Sequence, residues 1–227
     1  MRRSARAKVS SIQDRNETRP MIMDINIPLI LLAALVASAS PGPATLAIAG
    51  TSMASGRKPG LALASGITTG SLIWSFCAAM GLGTIMLANA WIFEVIRYAG
   101  AGYLIFLAVK SARSALSKGE IKTRSMTGSR KALYSKGLAL HITNPKAILF
   151  FGSLYAIGVP ADASLAQLFL VIGSVGLQSI IVFHGYALLF STASLAKLYV
   201  KLRRWFEGLF AIGFGLAGLK IITAKLQ

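Results

Sequence analysis

The sequence predicts an all-α integral membrane protein of about six transmembrane helices, arranged as two inverted three-helix repeats whose first helix is broken at proline. Three observations predict it. Of 227 residues, 55% are hydrophobic and only 14% are charged, against about 25% charged in an ordinary soluble domain. The apolar residues gather into six long runs separated by polar connections. Lastly, the opening run of each half carries a proline break inside it.

The first run, residues 29–51, reads LILLAALVASASPGPATLAIAGT. It is long enough to cross a bilayer, where roughly 20 apolar residues are needed. Ser40-Pro41-Gly42-Pro43 falls within it. Each proline removes a backbone donor and its ring clashes with the carbonyl one turn earlier, so a helix cannot pass through unchanged. Unpaired backbone groups in hydrocarbon cost several kcal/mol each, so such a break persists only when buried in protein or beside a watery cavity. The fourth run has its own break, Asn144-Pro145-Lys146 within ALHITNPKAILFFGSLY. Paired interrupted segments in corresponding places of two halves point to a transporter with its binding site at the midplane.

The remaining runs cover residues 60–87, 91–109, 164–190 and 205–222, and the fourth run itself covers 137–159. In the second, Gly66 and Gly70 stand four apart, a spacing that lets helix backbones approach in lipid. In the third, Glu94 and Arg97 are placed to pair on one helical face, as an interfacial couple. Trp91, Tyr98 and Trp205 lie near run ends, where interfacial aromatics gather. The single cysteine, Cys77, sits in apolar surroundings and reads as a packing residue. The domain organisation that follows is a basic tail at 1–22, a first three-helix half at 23–110, a cytoplasmic linker at 111–136 and a second half at 137–227.

The net charge of +17 and the pI near 10.6 invite a nucleic-acid reading. The placement of the charge argues otherwise. Eight of the 24 basic residues fall within 110–136, six within the first 19, and four within 197–204, between apolar runs rather than on one face. No nucleic-acid partner is expected. The first, third and fifth connections hold fourteen basic residues and the second and fourth hold only Arg97. The positive-inside rule therefore puts the odd connections in the cytoplasm. Six spans then leave both ends outside, which the basic tail contradicts. A start at Met23 removes the tail's six charges and restores the inverted repeat; a re-entrant first run, leaving five spans, is the other repair.

The candidate site follows from the breaks. Helix ends expose unpaired N–H groups at one side and carbonyls at the other, which suits the carboxylate and ammonium of a zwitterionic amino acid. Ser40, Pro41, Gly42, Pro43, Thr45, Asn144 and Pro145 are its candidate residues, with Lys146 as an ionisable group within an apolar run. Lys146 either binds a carboxylate, takes part in proton coupling or snorkels to the cytoplasmic face. His184, deep in the fifth run, is a second candidate for proton coupling or else a hydrogen-bonded packing residue, and His141 a weaker one. The reading finds no acidic residue at mid-membrane.

These features together resemble the lysine-exporter (LysE/RhtB) translocator family. The stretches that carry the resemblance are Ser40-Pro41-Gly42-Pro43, Gly56 and Gly60 with the Gly66/Gly70 spacing, and Tyr98-Ala99-Gly100-Ala101-Gly102-Tyr103-Leu104 leading to Arg113-Ser114. They continue with Lys136-Gly137 and with Asn144-Pro145-Lys146-Ala147 before Phe150-Phe151. The resemblance spans about residues 23–225. It implies a six-helix exporter of amino acids and related metabolites in the bacterial inner membrane, driven by the proton gradient. Many members have Asn directly after Pro-Gly-Pro; here Ala44 stands instead, removing a side-chain amide.

The expected function is export of small neutral amino acids such as homoserine, threonine or leucine, with no cofactor and no metal. The bilayer is the expected surrounding, and a homodimer is the partner that the small-residue faces suggest. Three rivals were weighed. An intramembrane enzyme needs a nucleophile–base pair or ligand cluster that no spacing displays. A cation exporter needs clustered carboxylates, thiols or imidazoles in its spans. A non-transporting scaffold has no use for broken helices.

Overall fold

The computed structural model describes residues 25–88, 90–117, 123–160 and 163–223. Among them, eight helices and no strand are found: α1 (Ile27–Ala39), α2 (Pro43–Ser55), α3 (Arg57–Ala88), α4 (Ala90–Leu116), α5 (Arg130–Ile142), α6 (Pro145–Gly158), α7 (Leu165–Phe190) and α8 (Ala193–Thr223). The protein is all-α, and the order of elements is a short pair followed by two long helices, twice over. The tail at 1–22 lies outside the described residues.

Local chemistry explains where the helices start and stop. The Asn26 side chain accepts from Leu29 N at 3.0 Å and caps α1. Ser40 ends α1 in extended backbone, and Pro43 opens α2 at the first helical position, where a missing N–H does no harm. The pair bends by 53° at this break. Asn144 caps α6 with Pro145 at its first position, repeating the device. Gly56 closes α2 at φ 85°, a left-handed conformation that a Cβ disfavours. Ser164 and Gln167 form a reciprocal capping box at the start of α7, with bonds of 3.3 and 2.8 Å.

Small residues set the closest contacts. A Cβ added at Gly66 would lie 2.0 Å from Tyr134 O, and one at Gly137 would lie 2.3 Å from Leu63 O. The α3 and α5 backbones therefore touch directly, each through the other's glycine. The Gly66/Gly70 spacing is thus a packing motif, facing α5. Beyond it, α4 packs chiefly on α8, and α3 on both α5 and α7.

The core is polar in places and the outside is not. Ser71, Ser75, Ser111, His141, Asn144, Ser179 and Glu207 are buried. Meanwhile Leu177 and Ile181 on α7, and Leu209, Ile212, Leu216 and Leu219 on α8, are exposed. Apolar stripes of this extent are uncommon on soluble monomers and suit hydrocarbon. Among the described residues, two helices, Arg57–Gly81 within α3 and Leu165–Phe190, are long and apolar enough to span a membrane, and the bent α1–α2 pair passes as a third. Helices α4 and α8 run past the apolar limits read from sequence, to Leu116 and from Ala193. Trp91, at the start of α4, and Trp205, within α8, are 70% and 77% exposed. The Glu94–Arg97 pair cannot be placed, because the Arg97 side chain is outside the described residues.

Candidate functional site

The two breaks meet. Lys146, one residue into α6 past the proline, turns its chain inward and donates from Nζ to the Ser40 carbonyl at 3.2 Å and to the Ser40 hydroxyl. Its ammonium stands 6.0 Å from the Phe214 ring centroid, at the edge of cation–π range. Lys146 does not snorkel to the surface. It serves the carbonyl end of α1, where the helix dipole favours a cation.

The rest of that helix end is also occupied. Ser40 Oγ donates to Ala37 O at 3.1 Å, and the Tyr186 hydroxyl donates to Ala39 O. Thr45 Oγ1 accepts from Gly42 N at 2.9 Å, bridging the break and fixing the start of α2. Asn144 Oδ1 accepts from Lys146 N at 3.1 Å, so the amide that caps α6 also orients the lysine. A Cβ at Gly42 would touch the Lys146 chain at 3.4 Å. Pro41 and Pro43 form the wall beside them, with Pro145 opposite.

This junction separates two cavities. The larger, about 630 Å³, is lined by Ser40, Pro41, Gly42, Pro43, Asn144, Pro145 and Lys146 together with Tyr103, Lys110, Ser114, Arg203, Glu207 and Phe214. Its volume is in the range of small-molecule sites. The smaller, about 40 Å³, shares Ser40, Gly42, Asn144 and Lys146 and continues to Thr45, Ser71, His141, Phe150, Ser179 and Phe183. All eight break residues expected from sequence therefore line one or both cavities.

One candidate residue escaped the sequence reading. Glu207 is 3% exposed and lines the larger cavity. Its Oε1 accepts from Ser114 Oγ at 2.8 Å, Arg203 Nη2 donates to the same hydroxyl at 3.0 Å, and Arg203 Nε lies 4.0 Å from Oε1. A buried carboxylate thus does face the cavity, held between α4 and α8. The signal was present: an ionisable residue within WFEGLFAIGFG reads as functional by default. The basic connection at 197–204 ends just before it, and charge pattern alone does not tell which face of the helix Glu207 occupies.

His184 sits elsewhere. Its Nε2 is 3.1 Å from Ser65 Oγ and its Nδ1 3.0 Å from Ile180 O, so it joins α3 to α7 and lines neither cavity. His141, the weaker candidate, is the one in the site. Among the described residues, no group of three or more His, Cys, Asp or Glu stands ready to hold a metal ion.

Known proteins similar to this chain are amino-acid efflux proteins. The chain is 28% identical over 200 residues to the threonine efflux protein of Salmonella typhi, covering 86% of this chain and 97% of that one. It is 29% identical to the leucine efflux protein of Klebsiella pneumoniae, covering 89% and 96%. It is 32% identical over 161 residues to the homoserine/homoserine lactone efflux protein of Salmonella typhimurium, covering 70% and 77%. No solved structure matches the fold. The description LysE type translocator fits residues 35–225, spanning both breaks and both cavities, and the chain belongs to that family of transporters.

Proposed function

We propose that the chain exports small neutral amino acids across a bacterial inner membrane, binding them where the two breaks meet. The observation that carries this reading is the bond from Lys146 Nζ to Ser40 O. The Lys146 ammonium fills the carbonyl end of α1. A zwitterion entering from the larger cavity offers its carboxylate to Lys146 and its own ammonium to the carbonyls that Lys146 releases. Both charges of the substrate then find partners, and a zwitterion adds no net charge to the site.

The lining argues against cation export. Lys110, Lys146 and Arg203 face the larger cavity, opposed by Glu207. A path with three positive groups to one negative repels metal ions and favours carboxylates.

Packing supports alternating access between two inverted halves. On one side of the breaks, α4 packs on α6 and α1 on α8. The pairs related to these by exchange of halves, α8 with α2 and α4 with α5, have no contact of similar extent. The larger cavity lies on that looser side, beside the basic ends of α4 and α8, which the positive-inside rule assigns to the cytoplasm. The structure then corresponds to an inward-facing state. Export proceeds as α8 and α4 close on α2 and α5 while their other contacts loosen. Glu207, beside Arg203 and across the cavity from Lys146, is the group suited to carry the coupling proton.

The test is efflux from cells loaded with dipeptides, following which free amino acids leave. Asn144→Ala and Gly42→Leu are run at matched membrane abundance. Selective efflux that both variants lose by tenfold or more is the expected result. Efflux that survives both moves the site away from the breaks.

A further inference from the structure

The smaller cavity has a feature that binding of a zwitterion at the breaks does not use. His141 is 5% exposed, and neither ring nitrogen has a hydrogen-bond partner among the described residues. A neutral imidazole carries one donor and one acceptor, and leaving buried polar groups unmade is costly. The ring is not free to find partners elsewhere. Phe183 meets it edge-on at 5.8 Å, and α3 presses on it so closely that a Cβ at Gly70 would lie 2.9 Å from the His141 Cβ.

Two of the hydroxyls that line the cavity with it are paired with each other. Ser71 Oγ and Ser179 Oγ lie 3.1 Å apart and bond each other, so one hydroxyl proton and spare lone pairs remain for a third group. Phe150, Phe151 and Val175 supply the apolar remainder of the wall. The space is about 40 Å³, a little more than one water occupies. That is room for the end of a short side chain and too little for a guanidinium or a long ammonium chain.

We propose that His141, with Ser71 and Ser179, forms a side-chain subsite that recognises a hydroxyl on the substrate, so that the carrier selects threonine, homoserine or serine over aliphatic amino acids. The inference rests on the amino-acid reading of the neighbouring break. With the substrate's charged groups held at Ser40 and Lys146, its side chain extends past Gly42 and Thr45 into the smaller cavity. A hydroxyl there accepts from one imidazole nitrogen or donates to the other. An aliphatic group of the same shape displaces water and leaves both nitrogens unmade. Sites built to hydrogen-bond a substrate hydroxyl discriminate strongly against analogues that lack it.

Threonine and valine provide the test, since they differ by a hydroxyl in place of a methyl. The purified chain in proteoliposomes loaded with equal amounts of both should release threonine about tenfold faster or more. His141→Leu should bring the ratio close to one, whereas His141→Gln, which keeps a donor and an acceptor, should preserve it. Should His141→Leu fail to reach the membrane, Ser179→Ala decides, with an expected fall of a few fold in the same ratio. Equal release of threonine and valine by the unaltered chain, or a threonine preference that survives His141→Leu, overturns the subsite and leaves amino-acid export standing. Release of no amino acid overturns both.

Discussion

Lys146 Nζ and the Ser40 carbonyl stand 3.2 Å apart, although 106 residues separate them in sequence. Through this bond, the second half of the chain supplies the cation that the first half's broken helix needs.

Lys146→Met tests the bond, because methionine keeps much of the stem and removes the ammonium. Hydrogen bonds to charged groups contribute about 1.5–3 kcal/mol, so efflux is expected to fall roughly 10–100-fold. Lys146→Arg should recover only part of the loss, since a planar fork does not fit beside Gly42 as a compact ammonium does. The measurement is efflux of labelled amino acid from preloaded vesicles at equal protein abundance. Activity within a factor of two for the Met variant removes Lys146 from the site.

Glu207→Gln separates coupling from binding. The amide keeps the shape and can still accept from Ser114, but it cannot carry a proton at physiological pH. Exchange of labelled for unlabelled substrate across proteoliposomes should persist within a fewfold of the unaltered rate. Net uphill transport driven by an imposed pH gradient should vanish. If the gradient still drives transport in this variant, the proton travels by another group.

The breaks were legible because proline and glycine act through the backbone, where sequence and local structure are tied directly. Ser40 to Pro43 and Asn144 to Lys146 therefore line the cavities as the sequence suggested. Glu207 and the two histidines were not legible, for a different reason. An apolar run tells how long a helix is, yet says little about which face of it turns inward. Glu207 stands four residues from Arg203, close enough to read as one solvated cluster, and only its position on α8 aims it at the cavity. His184 lies deeper in its run than His141 does, yet its ring is taken up by Ser65 and Ile180. Helix length was underread at α4 and α8 because charged residues continue each helix past the end of its apolar run.

The glycine contact between α3 and α5 should govern stability rather than selectivity. Gly66→Val places new atoms where the Tyr134 carbonyl already is, and overpacking of this kind costs typically 1–3 kcal/mol or more. A marked drop in melting temperature in detergent is expected, with low membrane abundance. Gly173→Ala, at a glycine with no heavy atom within 4 Å of the added Cβ, should leave melting within about 0.5 kcal/mol of the original. Equal melting of the two variants would mean that α3 and α5 are not in backbone contact in the membrane.

Orientation and state can be tested together with one introduced thiol. Cys77 is exposed, so it is first replaced by serine to leave the introduced thiol alone. Lys110 is exposed and lines the larger cavity; Lys110→Cys places a thiol there. Ser38 lines the smaller cavity on the far side of the breaks, and Ser38→Cys places a thiol behind the Lys146–Ser40 contact. A membrane-impermeant maleimide should label Lys110→Cys in inside-out vesicles and not in right-side-out ones. Substrate at saturating concentration should slow that labelling several-fold, by filling the cavity and favouring closure. Ser38→Cys should react slowly from either side. Labelling of Lys110→Cys only in right-side-out vesicles would invert the topology and turn the inward-facing reading into an outward-facing one. Rapid labelling of Ser38→Cys from the side opposite Lys110 would show that the resting chain already opens past the breaks.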